Sequence, residues 1–94
     1  MARIPGEYLW VFNGARSSFP SGVFSSVEKA EIFIRKYAMT GILTAYPKDE
    51  LAYEWAIENS LFEPKKEEHR SPEFIQKFTT ASQEHYHYEN GVRE

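Results

Sequence analysis

The chain predicts an α+β fold: a three- or four-stranded, mainly antiparallel sheet packed by two principal helices and a short third helix. Three observations carry that reading. Tyr8-Leu9-Trp10-Val11-Phe12 is an aromatic-rich extended run. Val27, Ala30, Ile34 and Tyr37 then recur at helical spacing, with Phe33 broadening the stripe. Near the end, Gln83 to Glu89 alternates as a strand does.

The elements follow in order. In an extended Tyr8–Phe12 segment, Tyr8, Trp10 and Phe12 share one face and Leu9 and Val11 the other, so this strand belongs inside the sheet. Asn13-Gly14 marks a hairpin turn. Its return arm, Phe19 to Phe24, contains Pro20 and Gly22 and therefore reads as an edge strand. Ser25 and Glu28 have the spacing of a capping box at the start of a helix over 26–40, which Gly41 is placed to end. Ile42 to Tyr46 is a strand closed by Pro47.

Asp49 is placed to cap a second helix over 49–60, with Leu51, Ala52, Trp55 and Ala56 inward and Glu50, Glu54 and Glu58 on a wetter side. The mixed-sign stretch Glu63 to Arg70 reads as an exposed loop. Ser71-Pro72-Glu73 starts a short helix through Phe78, with Phe74, Ile75 and Phe78 as its packing groups. Asn90-Gly91 closes the final strand. The whole is one globular domain over 1–94, with flexible ends at 1–6 and 91–94.

Composition narrows the function classes. Ninety-four residues fit one core. A formal charge of -3 lacks the basic footprint of a nonspecific nucleic-acid binder, and no run approaches membrane-spanning length. The absence of cysteine removes disulfides and thiolate chemistry and fits a reducing, cytoplasmic setting. Neither nucleic acid nor membrane is therefore an expected partner, and no cofactor is expected. Ser17-Ser18 and Ser25-Ser26 read as turn and cap residues, and the glycines form no phosphate loop.

Two groups of residues remain as candidate sites. Tyr46, Asp49, Glu50, Tyr53, Glu54 and Glu58 gather an acidic helix face bordered by aromatic side chains, suited to steering a basic protein. His85, His87 and Glu89 project from one face of the last strand, a pattern that suits a polar surface or a metal; His69 joins them only if the charged loop folds back. No motif assembles a catalytic set. The favoured function is a non-enzymatic protein-interaction domain, an adaptor or inhibitor acting through the acidic helix. The alternative is a small hydrolase or metal-dependent enzyme using the His85/His87 region. An unknown protein partner is expected, and exposed sheet edges also allow a homodimer.

The chain further resembles a family of small, largely uncharacterised bacterial single-domain proteins. The resemblance rests on Trp10-Val11-Phe12-Asn13-Gly14, Ser21-Gly22-Val23-Phe24, Thr40-Gly41-Ile42-Leu43-Thr44-Ala45-Tyr46-Pro47 and Tyr53-Glu54-Trp55-Ala56-Ile57-Glu58. Phe62-Glu63-Pro64-Lys65 and Glu84-His85-Tyr86-His87-Tyr88 extend it over most of positions 8–90. It implies a single domain of bacterial type and no particular activity.

Overall fold

Phe12, Leu43, Tyr88, Ala30 and Ile34 meet in one closed cluster, and the chain is arranged around them. The structure, a computed structural model, describes residues 8–94; the expectation for 1–6 lies outside the described residues. The strands are β1 (Tyr8–Gly14), β2 (Gly22–Phe24), β3 (Gly41–Pro47), β4 (His85–Glu89) and β5 (Val92–Arg93). They form one antiparallel sheet in the order β2-β1-β3-β4-β5. The helices are α1 (Val27–Lys36), α2 (Ala52–Glu58) and α3 (Pro72–Gln76), with a 3-10 turn at Glu67–Arg70 before α3. The α+β class is as expected; the sheet is larger by the β5 strand.

The β1–β3 ladder is the longest and sets the faces. Phe12 pairs with Leu43 and Trp10 with Ala45, so these side chains share the face that α1 covers through Ala30 and Ile34. Gly41 pairs with Gly14, and a side chain there has no room. A Cβ on Gly41 would lie 2.4 Å from the Asn13 carbonyl oxygen and 2.8 Å from the Gly14 Cα. Gly41 thus starts a strand instead of ending a helix.

Helix α1 ends earlier, in a Schellman motif. Met39 N–H donates to the Ile34 carbonyl and Ala38 N–H to that of Arg35, with Ala38 at φ 50°. Ser60, at φ 59°, closes α2 in the same way. Neither position holds glycine, which is why composition gave no sign of these endings. The caps are also displaced from expectation. Ser26, not Ser25, accepts from Lys29 N–H, and α2 has Leu51 at its N-cap with no side-chain cap from Asp49. Tyr37, at the C-cap of α1, is 63% exposed and Phe33 44%, so the buried stripe narrows to Ala30 and Ile34; Leu51, at the N-cap of α2, is 55% exposed instead of packing inward.

β1 and β2 form the expected antiparallel hairpin, but Asn13-Gly14 continue β1 opposite Ile42 and Gly41, so the tight turn is elsewhere. It is at Asn90-Gly91, whose φ values of 51° and 86° suit a primed turn. The segment over 91–94 pairs through Val92 and Arg93 as β5, and Glu94 N–H donates to the His87 carbonyl. Arg93 then reaches α1. Glu31 Oε2 accepts from Tyr88 Oη at 2.6 Å and from Arg93 Nη2 and Nε at 2.6 and 2.9 Å. The Tyr88 hydroxyl, foremost, together with Arg93 holds the Glu31 carboxyl below its ordinary value, while burial and Glu31 push Tyr88 up to about 12.

Gly41→Ala should destabilise the domain by about 1–3 kcal/mol, because backbone atoms of β1 must move to admit the methyl group; urea denaturation measures this, and an unchanged midpoint would refute the close approach. The Glu31 carboxyl, with its folded-state value lowered, adds stability that is full above its ordinary value of 4.5 and is lost as pH falls through the folded-state value. Tyr88, with its value raised, adds stability that is full below 10.0 and is lost as pH rises toward about 12. Glu31→Gln should cost about 1–3 kcal/mol near neutral pH and flatten the acid limb of the stability profile, read by thermal unfolding across pH.

Candidate functional site

The pleat divides the sheet into two unlike faces. One is the helix side, where α1 packs over Phe12 and Leu43 and the Trp55 indole of α2 donates to Tyr8 Oη at 2.9 Å. The other carries Leu9, Val11, Val23, Ile42, Thr44 and Tyr46, as the pairings Leu9 with Tyr46, Val11 with Val23 and Val11 with Thr44 require. His85 and His87 extend this face beside Thr44 and Ile42, and Glu89 and Val92 lie at its far edge. Its apolar groups meet solvent: Val92 is 66% exposed, Val23 60%, Ile42 38% and Tyr46 36%. A solvated antiparallel face is ordinarily polar. Among the described strand positions on this face, Glu89 is the only one with a formal charge when the histidines are neutral.

The acidic helix group does not assemble as one surface. Tyr46 lies on the sheet face that no described helix covers, whereas Tyr53 is a buried residue of α2. Tyr53 anchors an aromatic cluster with Phe62, Phe74 and Phe78, at ring separations of 5.9, 6.4 and 5.5 Å, and donates its hydroxyl to the His69 carbonyl at 2.9 Å. Asp49, Glu54 and Glu58 are exposed and Glu50 half-buried. Asp49 sits in the turn after β3 at φ 62°.

The histidines are also separated in role. His69 Nδ1 accepts from the Lys65 and Lys66 amides, and its ring lies 4.9 Å from that of Phe74, so it braces the charged segment. Within that largely exposed segment Glu67–Arg70 form a 3-10 turn, and positions 63–66 are loop as expected. The His85 and His87 rings are 5.3 Å apart on the uncovered face, and His85 Nδ1 is 2.7 Å from the Gln83 carbonyl. Because a carbonyl only accepts, Nδ1 is the donor in this contact. Among the described residues, no group of three or more His, Cys, Asp or Glu side chains could hold a metal ion.

Sequence reasoning missed two features. The face that no described helix covers joins Leu9 and Val11 to Ile42 and Val23, and only strand pairing brings them together. The second is a recess of about 410 Å³ on the helix side, lined by Tyr8, Trp10, Trp55, Ser25, Ser82 and Glu84. With Ala45 its lining comes from five separate segments, so no local spacing signals it. No helix of the described residues is long and apolar enough to cross a membrane.

Residues 9–94 match the family model described as a domain of unknown function, DUF7710, and the chain belongs to that family. No curated protein and no solved structure matches the chain.

Tyr53→Ala should release the 61–79 segment and cost about 3 kcal/mol through the lost ring packing. Hydrogen exchange should then quicken most at the Ile75 and Phe78 amides, which donate within α3 and its exit. Equal quickening along β1 and β3 would instead place Tyr53 in the main core.

Proposed function

We propose that this DUF7710 chain is a protein-interaction domain whose docking surface is the uncovered sheet face, and that a second copy of the chain is its occupant. The observation that carries the reading is the exposure of Val23, Ile42 and Tyr46, on strands β1 to β3 that put no charged side chain on this face, in a chain that is 27% charged. Contiguous exposed apolar surface is a mark of association. A neutral face gives a charged partner little to pair with. It lets two copies that each carry a formal charge of -3 approach without opposing charges at the centre. A two-fold arrangement would set sheet against sheet, covering both apolar faces at once.

His85 and His87 lie beside the apolar strip and would border such an interface, supplying polar contacts at its rim. Glu54 belongs to α2, on the helix side, and stays outside it. The acidic helix therefore supports the competing occupant, a basic protein, and not the second copy.

Sedimentation over a wide concentration range tests the reading. The wild-type chain should rise from 11.0 kDa toward twice that mass, Ile42→Lys should stay at 11.0 kDa, and Glu54→Lys should behave as wild type. A wild-type chain that remains at 11.0 kDa throughout removes the second copy as occupant. A dimer that survives Ile42→Lys and Val23→Lys, or one that Glu54→Lys disrupts, moves the interface off this face.

A further inference from the structure

We infer that the recess beneath the helix side of the sheet is a binding site for an organic ammonium group, held by tryptophan and tyrosine side chains with Glu84 as its counter-charge. The lining chemistry selects this class. Tyr8, Trp10 and Trp55 supply aromatic walls, Ser25 and Ser82 supply hydroxyls, and the formal charge in the lining is the single carboxylate of Glu84. Aromatic faces attract cations and not anions, and the attraction grows where water is excluded. A volume of about 410 Å³ is that of a small-ligand site.

The walls are braced before any ligand arrives. Trp55 Nε1–H donates to Tyr8 Oη at 2.9 Å, which ties α2 to the start of β1. Trp10 stacks on Tyr86 with ring centroids 5.7 Å apart, and the Tyr86 hydroxyl donates to Glu84 Oε2 at 2.5 Å. The carboxylate is thus oriented by the residue that also backs one indole. Its second oxygen is left for a ligand. Such prior ordering removes part of the entropy cost of binding.

Gln83 is buried next to the recess without lining it, and ties Ala45 to the Ser82–Glu84 segment. It is 1% exposed, and its Nε2 donates to the Ala45 carbonyl at 3.1 Å, but Oε1 has no hydrogen-bond partner. It lies in the chain between Ser82 and Glu84, and it bonds to Ala45, all three of which line the recess. Buried acceptors are ordinarily satisfied.

Tryptophan emission reports binding directly, since both tryptophans of the chain line the recess. The probes are n-butylammonium and choline, which separate a hydrogen-bonding ammonium from a quaternary one, and 3,3-dimethylbutanol as the neutral counterpart of choline. At least one cation should give a saturable change that the alcohol does not reproduce. Glu84→Gln should weaken it by about threefold to fivefold; the amide can still accept from Tyr86, so the fold is kept, as the Trp55 indole N–H resonance will verify. The inference is overturned if neither cation changes the emission, if the alcohol binds as well as choline, or if Glu84→Gln binds undiminished.

Discussion

The approach of β3 to β1 at Gly41 is the constraint on which the other contacts depend. Gly41 faces Gly14 with no room for a Cβ, and from there seven residue pairs run to Tyr8 and Pro47. A slip of one residue would invert every side chain on β3. Leu43 and Ala45 would then leave the core, and Ile42, Thr44 and Tyr46 would enter it. The register therefore fixes which face α1 can cover and which remains open. Phe12, Leu43 and Tyr88 can meet Ile34 only in this arrangement.

Two further ties attach the outlying parts to that centre, and they differ in kind. Glu31 draws Tyr88 and Arg93 onto one carboxylate oxygen, joining α1 to β4 and to the last strand across 57 and 62 positions of sequence. That tie is electrostatic and therefore depends on pH. Arg93 also lies over the Tyr86 ring at 4.3 Å, so the same side chain steadies the aromatic wall behind Trp10. The other tie is apolar. Tyr53 gathers Phe62, Phe74 and Phe78 into a satellite cluster, and through it the 3-10 turn and α3 are held to α2. The main core does not depend on this second cluster in the way the cluster depends on Tyr53.

The two faces of the sheet differ in the chemistry they offer. The helix side encloses a recess with aromatic walls and a carboxylate, whereas the open side presents apolar groups with histidines beside them. A small cationic group suits the first and a neutral protein surface the second. Strand β4 serves both, because Tyr86 and Tyr88 turn to the helix side while His85 and His87 turn away.

The sequence by itself determined the α+β class, the order of the main elements and most of the core. Alternation in Tyr8–Phe12 and the Ala30–Ile34 stripe are local patterns, and local patterns report which side of an element is apolar. The Ser71-Pro72 helix start was legible for the same reason, and Ser71 does accept from Phe74 N–H. Helix ends at Ala38 and Ser60 were not legible, because these residues take a left-handed conformation that their identity does not announce. Nor was the two-residue strand β5, whose pairing is decided by the Asn90-Gly91 turn and the reach of Arg93 to Glu31. Both candidate surfaces belong to this second kind. Tyr46 and Tyr53 look alike in sequence, yet strand register exposes one and aromatic packing buries the other. A surface is made by residues far apart in the chain, so only the tertiary structure could decide which of them share it.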